Sequence, residues 1–225
     1  MGDIINFYKR IEKNNDDELK HEIFELPFRM LIIGPSGSGK TNAALNIIKS
    51  LNNYFHDISI ITKNSEEPLY CFLKDKLKEL CHVYEDLHDA PQLDKFDKHD
   101  RHLVIFDDMV CEKNQQSICE YFIRARKLNI SVMYISQSFY HTPIMIRKNI
   151  GYLIIKKLSS MRDLARIIAD CSLTETKEEI LKMYKEATKN KFGFLLIDLQ
   201  ASKYYQNFEL IKDCNNNIDD TPKKK

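Results

Sequence analysis

The stretch that most restricts how this chain can fold is GPSGSGKT at residues 34–41: a glycine, four residues, then Gly39, Lys40 and Thr41. That spacing is the phosphate-binding loop pattern, which works only between a strand that delivers the loop and a helix that leaves it. Both flanks agree. Met30 to Ile33 is an uninterrupted apolar run, and Ala44, Ile47, Ile48 and Leu51 recur at helical spacing afterwards. Gly34, Pro35, Ser36, Gly37, Ser38, Gly39, Lys40 and Thr41 are therefore the expected phosphate-binding residues. Glycine lets backbone N–H groups converge on an anion that a Cβ would keep away. Lys40 brings a mobile positive charge to the β- and γ-phosphates, and the Thr41 hydroxyl is a hard oxygen ligand for Mg2+. The helix that follows points the positive end of its dipole at the same anion. Three of the chain's six glycines sit in this loop, where an ordinary Gly-rich turn is the bland alternative.

A second apolar run, at 103–106, ends on Asp107 and Asp108. In open parallel α/β sheets, ligands bind beyond the carboxyl ends of the strands. The first acid of such a pair typically holds Mg2+ through water, and the second can polarise the water that attacks a γ-phosphate. Acids following a strand into a solvated loop are the alternative, which the nearby phosphate loop disfavours. A further buried strand, 131–135, ends at Ser136 and Gln137. A neutral amide there could sense the γ-phosphate and orient water, or merely cap a turn.

At 225 residues with 43% hydrophobic and 30% charged residues, the chain has the composition of a globular protein with a sizeable core. A formal charge of +1 excludes a bulk polycationic nucleic-acid binder, though not a local basic surface. The six cysteines form no C-x-x-C pair, so a thiolate metal site is not expected. Residues 1–10 are mixed polar, and no run approaches the roughly 20 apolar residues of a membrane helix. Reduced thiols, an intracellular location and no membrane partner are the expectation.

Strands are expected at 23–26 (an edge strand before Pro27), 30–33, 57–62, 102–106, 131–135, 152–155 and 192–199. Helices are expected from 41 to about 52, then at 68–80, 115–128, 143–149, 162–170 and 175–189. Residues 1–22 are expected to be a mobile arm, 23–212 the folded domain, and the Asn-rich stretch 213–225 a disordered tail. Strands alternating with helices predict a three-layer α/β/α fold with a mainly parallel sheet.

Taken together, residues 27–41, 105–109, 122–131 (FIRARKLNIS), 134–138 (YISQS) and 143–149 (PIMIRKN), with the late strand through Asp198, resemble genome-packaging ATPases of the poxvirus type. These lie within the FtsK–HerA superfamily of DNA-pumping ATPases, with relatives in large DNA viruses, virophages and Polinton-like elements. The likeness spans residues 23 to 210. It implies a P-loop NTPase of the additional-strand (ASCE) type, in which the strand bearing the polar residue inserts between the loop strand and the acid strand. It implies that ATP and Mg2+ are bound, with Lys40 and Thr41 on nucleotide and metal, Asp107 on the metal, Asp108 as general base and Gln137 as sensor. Many superfamily members carry glutamate where Asp108 stands. Arg126 matches the family's arginine and is the expected finger for a neighbouring subunit's site, with Arg147 as alternative. Arg124 points about 200° away from Arg126 on a helix and has Glu120 four residues earlier as a surface partner.

The function this resemblance implies is ATP-driven movement of double-stranded viral DNA into a preformed capsid. The implied assembly is a ring of five or six copies meeting a capsid or portal-vertex protein, in host cytoplasm or virus factory and also in the virion. Lys156, Lys157, Arg162 and Arg166 are candidate DNA contacts. A nucleotide or nucleoside kinase, or a non-motor ATP-dependent DNA-binding regulatory module, are the rival readings.

Overall fold

The computed structural model describes residues 21–51, 53–171 and 175–216, so most of the expected arm and tail lies outside the described residues. The strands are β1 Arg29–Ile33, β2 Asp57–Thr62, β3 Cys81–Tyr84, β4 His102–Asp107, β5 Ile130–Ser136, β6 Tyr152–Lys156, β7 Phe194–Asp198, β8 Lys203–Gln206 and β9 Glu209–Asp213. The α-helices are α1 Lys40–Ser50, α2 Pro68–Leu77, α3 Gln115–Arg124, α4 Ile144–Arg147, α5 Met161–Asp170 and α6 Lys177–Ala187.

All nine strands join one sheet in the order β3-β2-β4-β5-β1-β6-β7-β8-β9. The pairings from β3 across to β6 are parallel, and those from β6 to β9 are antiparallel. The central strands are buried on both faces, which is why they read as continuous apolar runs rather than alternating ones. Alternate residues of β1 nevertheless serve different layers. Met30 and Ile32 pack with α1 and α2 residues such as Ile47 and Tyr70, whereas Leu31 and Ile33 pack with Phe122, Leu164 and Ile180 from α3, α5 and α6. The expected three layers are present, and β5 does lie between β1 and β4.

Several local expectations change. Residues 23–26 form no strand. Phe24 is buried against Phe28 and Tyr152, and the Tyr152 hydroxyl accepts the Glu25 N–H at 2.8 Å, so a side chain takes the place of a ladder partner. β3 is absent from the expected strands, because an edge strand buries only Cys81 fully. The helix expected through residue 80 ends as α2 at Leu77 and tightens into a 3-10 turn. Tyr70 and Leu73 are buried while Phe72 is 54% exposed. The helix expected through 128 likewise gives way to a 3-10 turn at Ala125–Leu128, ended by Asn129 in a left-handed conformation at φ 57°. β7 does not close the sheet, since β8 and β9 follow it, and Asp213 belongs to β9 rather than to a tail. Among the described residues no helix is long and apolar enough to cross a membrane.

Candidate active site

The phosphate loop leaves β1 at the carboxyl edge of the sheet and enters α1 at Lys40. Gly37 and Gly39 have φ of 71° and 82°, left-handed values that cost a residue with a Cβ. Gly34 is needed for a different reason: a Cβ there would lie 2.6 Å from the Lys156 Cβ. The Gly34 N–H donates to the Ser136 carbonyl at 3.2 Å, which ties the loop to the end of β5. Lys40 is half-buried, and its Nζ donates to the Pro35 carbonyl at 3.2 Å, folding the amine back over the loop. Burial pushes this ammonium below its ordinary range, against which the nearby Asp107 and Asp108 charges act.

The register of the parallel strands brings the acids to the same edge. Asp107 sits level with Thr62 of β2 and Ile135 of β5. Its Oδ2 accepts the Tyr70 hydroxyl at 2.5 Å. Burial raises the Asp107 carboxyl above the usual range, the Tyr70 hydrogen bond opposes this, and the Asp108 charge adds to it. Burial first, then the Asp107 charge, push the Tyr70 phenol well above its ordinary range, and the same hydroxyl meets Thr41. Tyr70 thus joins both expected metal ligands from α2. Nothing in its helical spacing marked it, because its partner is 37 residues away.

Asp108 turns out of β4 with φ 55° and donates its N–H to the Ile135 carbonyl at 3.1 Å. Its Oδ2 accepts Gln137 Nε2 at 2.5 Å, so the expected base and the expected sensor are in direct contact. ATP and Mg2+ fit these groups: left-handed glycines in the loop, an ammonium folded over it, and a hydroxyl and carboxylate as hard oxygen donors. Mg2+ is commonly held through one or two carboxylates together with phosphates.

The arginines stand apart from this cluster. Arg126 lies in the turn before β5, at the amino edge of the sheet, exposed and 3.6 Å from Glu25. A five-residue strand separates that edge from the loop, about 16 Å, so Arg126 does not approach its own subunit's loop. Arg147 is 2.6 Å from Asp170, stacks on Phe139 and donates from Nε to the Thr142 carbonyl. Arg124 pairs with Asp94 at 2.9 Å and with Glu120 at 3.7 Å. Of the candidate DNA contacts, Lys156 is no surface lysine. It is 1% exposed, and its Nζ donates to the Phe192 carbonyl at 2.7 Å beneath the phosphate loop. Burial lowers its ammonium to about 8. Arg166 stacks on Tyr140, while Lys157 and Arg162 are exposed.

Comparison with known proteins places this geometry among relatives. The family described as poxvirus A32 protein matches residues 17–220. The chain is 25% identical over 186 residues to DNA packaging protein OPG160 of Variola virus, covering 73% of this chain and 66% of that protein. The protein of the same name from Vaccinia virus (strain Copenhagen) is 25% identical over 185 residues, covering 73% and 65%. The chain therefore spans just under two thirds of the length of these relatives. Among solved structures, genome packaging NTPase B204 from Sulfolobus turreted icosahedral virus 2, in complex with sulfate, superposes with a TM-score of 0.62 at 17% identity, covering 84% of this chain and 98% of that one. The same NTPase in complex with AMPPCP gives 0.59 at 18%, covering 84% and 100%. These two likenesses are of fold.

Proposed function

The chain belongs to the poxvirus A32 protein family, and on that premise we propose that it is a Mg2+-dependent ATPase whose turnover drives double-stranded viral DNA into a preformed capsid. One observation carries the reading. The insertion of β5 between β1 and β4 sets Gln137 against Asp108 beside a complete phosphate loop.

The loop amides and Lys40 cradle the β- and γ-phosphates. Thr41 and Asp107 hold Mg2+, which when bound offsets phosphate charge. Tyr70 keeps the Asp107 carboxylate aimed, since its hydroxyl can only donate there. Asp108 accepts a proton from the attacking water, and Gln137, already bound to it, orients that water. Aspartate is one methylene shorter than the glutamate of many superfamily members, so the water must sit closer to β4. Arg126 lies at the amino edge of the sheet, away from its own loop, which supports a finger acting in a neighbouring copy of a homo-oligomeric ring; family resemblance suggests five or six subunits. DNA and a capsid or portal-vertex protein are the partners. Host cytoplasm or virus factory, and then the virion, are the places of work.

The test is multiple-turnover phosphate release with and without double-stranded DNA. Release stimulated by DNA, with no phosphorylated small-molecule product, is expected. Lys40→Ala should abolish it while leaving the melting transition in place. Undiminished turnover in that variant, or a phosphorylated nucleoside product, overturns the reading.

A further inference from the structure

We propose that the ring of Phe192 is the platform on which the nucleobase stacks, held in place by Lys156 under the phosphate loop. The inference rests on the ATPase reading and assigns the end of the site that the acids leave undefined.

The sheet orients the nucleotide. Asp107, Asp108 and Gln137 terminate β4 and β5, on one side of β1, and β6 lies on the other side. A nucleoside triphosphate laid along the loop puts its γ-phosphate toward the acids. Its ribose and base then leave toward β6 and the turn that enters β7. That turn is built to stay close. Gly193 N–H donates to the Asn190 carbonyl at 3.0 Å, and a Cβ on Gly193 would lie 2.3 Å from the Ala187 carbonyl oxygen, so only glycine fits. From β6, the Lys156 stem packs against Gly34 and its ammonium binds the Phe192 carbonyl at 2.7 Å.

These contacts bring the Phe192 ring against the loop itself. Its Cδ1 is 2.8 Å from where a Gly39 Cβ would stand. Yet Phe192 is 54% exposed, while Phe194, two residues on, is buried and lies under the Lys156 ammonium. A large apolar ring held at the phosphate loop with its surface in water is ready to receive another flat apolar surface. The Lys191 ammonium stands over the Phe192 ring, 5.5 Å from its centroid, and the Lys156 ammonium binds the Phe192 carbonyl, so positive charge borders the platform and suits an anionic ligand, whose base takes the other face or displaces Lys191. A phenyl ring offers the same π-face to every base. The platform therefore strengthens binding without choosing between adenine and guanine.

The chain contains no tryptophan, so Phe192→Trp creates a single fluorescent reporter at the proposed contact. Its emission should change on adding ATP or GTP and stay unchanged with inorganic tripolyphosphate, which has no base. Phe192→Ala should weaken ATP and GTP alike by about 5- to 100-fold, leave tripolyphosphate within about twofold of wild type, and be rescued by Phe192→Tyr. Unchanged ATP affinity in Phe192→Ala, or equal loss of tripolyphosphate, overturns the platform while the phosphate loop stands. A wild-type protein that binds neither ATP nor tripolyphosphate removes both readings.

Discussion

The two sides of the phosphate loop are built from opposite kinds of chemistry. On the β4–β5 side, each polar group meets another. Tyr70 holds Asp107, Gln137 holds Asp108, and the two carboxylates lie near the Lys40 ammonium. On the β6–β7 side, a lysine is buried with a carbonyl as its acceptor and an aromatic ring stands in water. On the proposed function, the first arrangement fixes the direction of charges for proton transfer. The second leaves an exposed apolar surface and a desolvated cation, both of which gain when an anionic, aromatic ligand arrives. In that reading the reaction side is organised before binding, and the loading side is completed by it.

The largest expected effect tests whether the reaction side is complete within one subunit. A finger acting in trans supplies roughly 10³- to 10⁵-fold in rate, so Arg126→Ala should lose that much turnover. Mixing it with Lys40→Ala, which keeps the finger but lacks the loop lysine, should restore part of the activity. Phosphate release from co-assembled mixtures checks this. No rescue would transfer the role to Arg147, which would first have to leave Asp170.

Next in size is the division between the acids. Asp108→Asn should bind ATP normally and turn over about 10²- to 10⁴-fold more slowly, the range of general acid–base catalysis. Asp107→Asn should instead lose Mg2+-dependent nucleotide binding. Equilibrium binding beside single-turnover rates separates them, and equal loss of affinity in both variants would erase the distinction.

Tyr70→Phe keeps the ring and removes its donor to Asp107. Hydrogen bonds to charged groups contribute about 1.5–3 kcal/mol, part of which a bound cation replaces, so a Mg2+ requirement raised roughly tenfold is expected. A titration of Mg2+ at fixed ATP measures it. An unchanged midpoint would show that Asp107 holds its position without help.

The smallest effect sharpens the loading side. Lys156 titrates near 8 in the folded chain, below the ordinary lysine value of 10.5. Between those values the unfolded chain binds more protons, so stability contributed by this residue rises with pH through that window. Below about 8 the desolvation penalty is fully present. Lys156→Met should flatten that rise, seen as the difference in Tm between variant and wild type from pH 7.5 to 10. A parallel pH dependence in the two proteins would show that the ammonium is not desolvated.

Much of the reaction side was legible because its signals are local. Gly34, Gly39, Lys40 and Thr41 declare themselves by spacing, and Asp107 and Gln137 by ending apolar runs. Tyr70 reads as an ordinary helix aromatic, Phe192 as the first residue of a strand that in fact starts at Phe194, and Lys156 as one of two adjacent candidate surface lysines. Their roles depend on partners 37, 153 and 36 residues away, namely Asp107, Gly39 and Phe192. The edge strand β3 and the pair β8 and β9 escaped for a related reason. Short strands with at most two buried residues carry too little apolar periodicity to stand out, and ladder partners supply their stability.

Residue order suffices to show where a phosphate could be held, which carboxylates could serve a metal and a water, and that strands would alternate with helices. Each follows from backbone freedom at glycine, from side-chain chemistry or from the burial of apolar runs, all readable over a few residues. Tertiary structure alone decided that β5 enters between β1 and β4, that β7 runs antiparallel to β6, and that Lys156 and Phe192 meet the loop. Strand order and direction are settled by which buried surfaces and ladder hydrogen bonds can be satisfied together, a condition on distant parts of the chain at once.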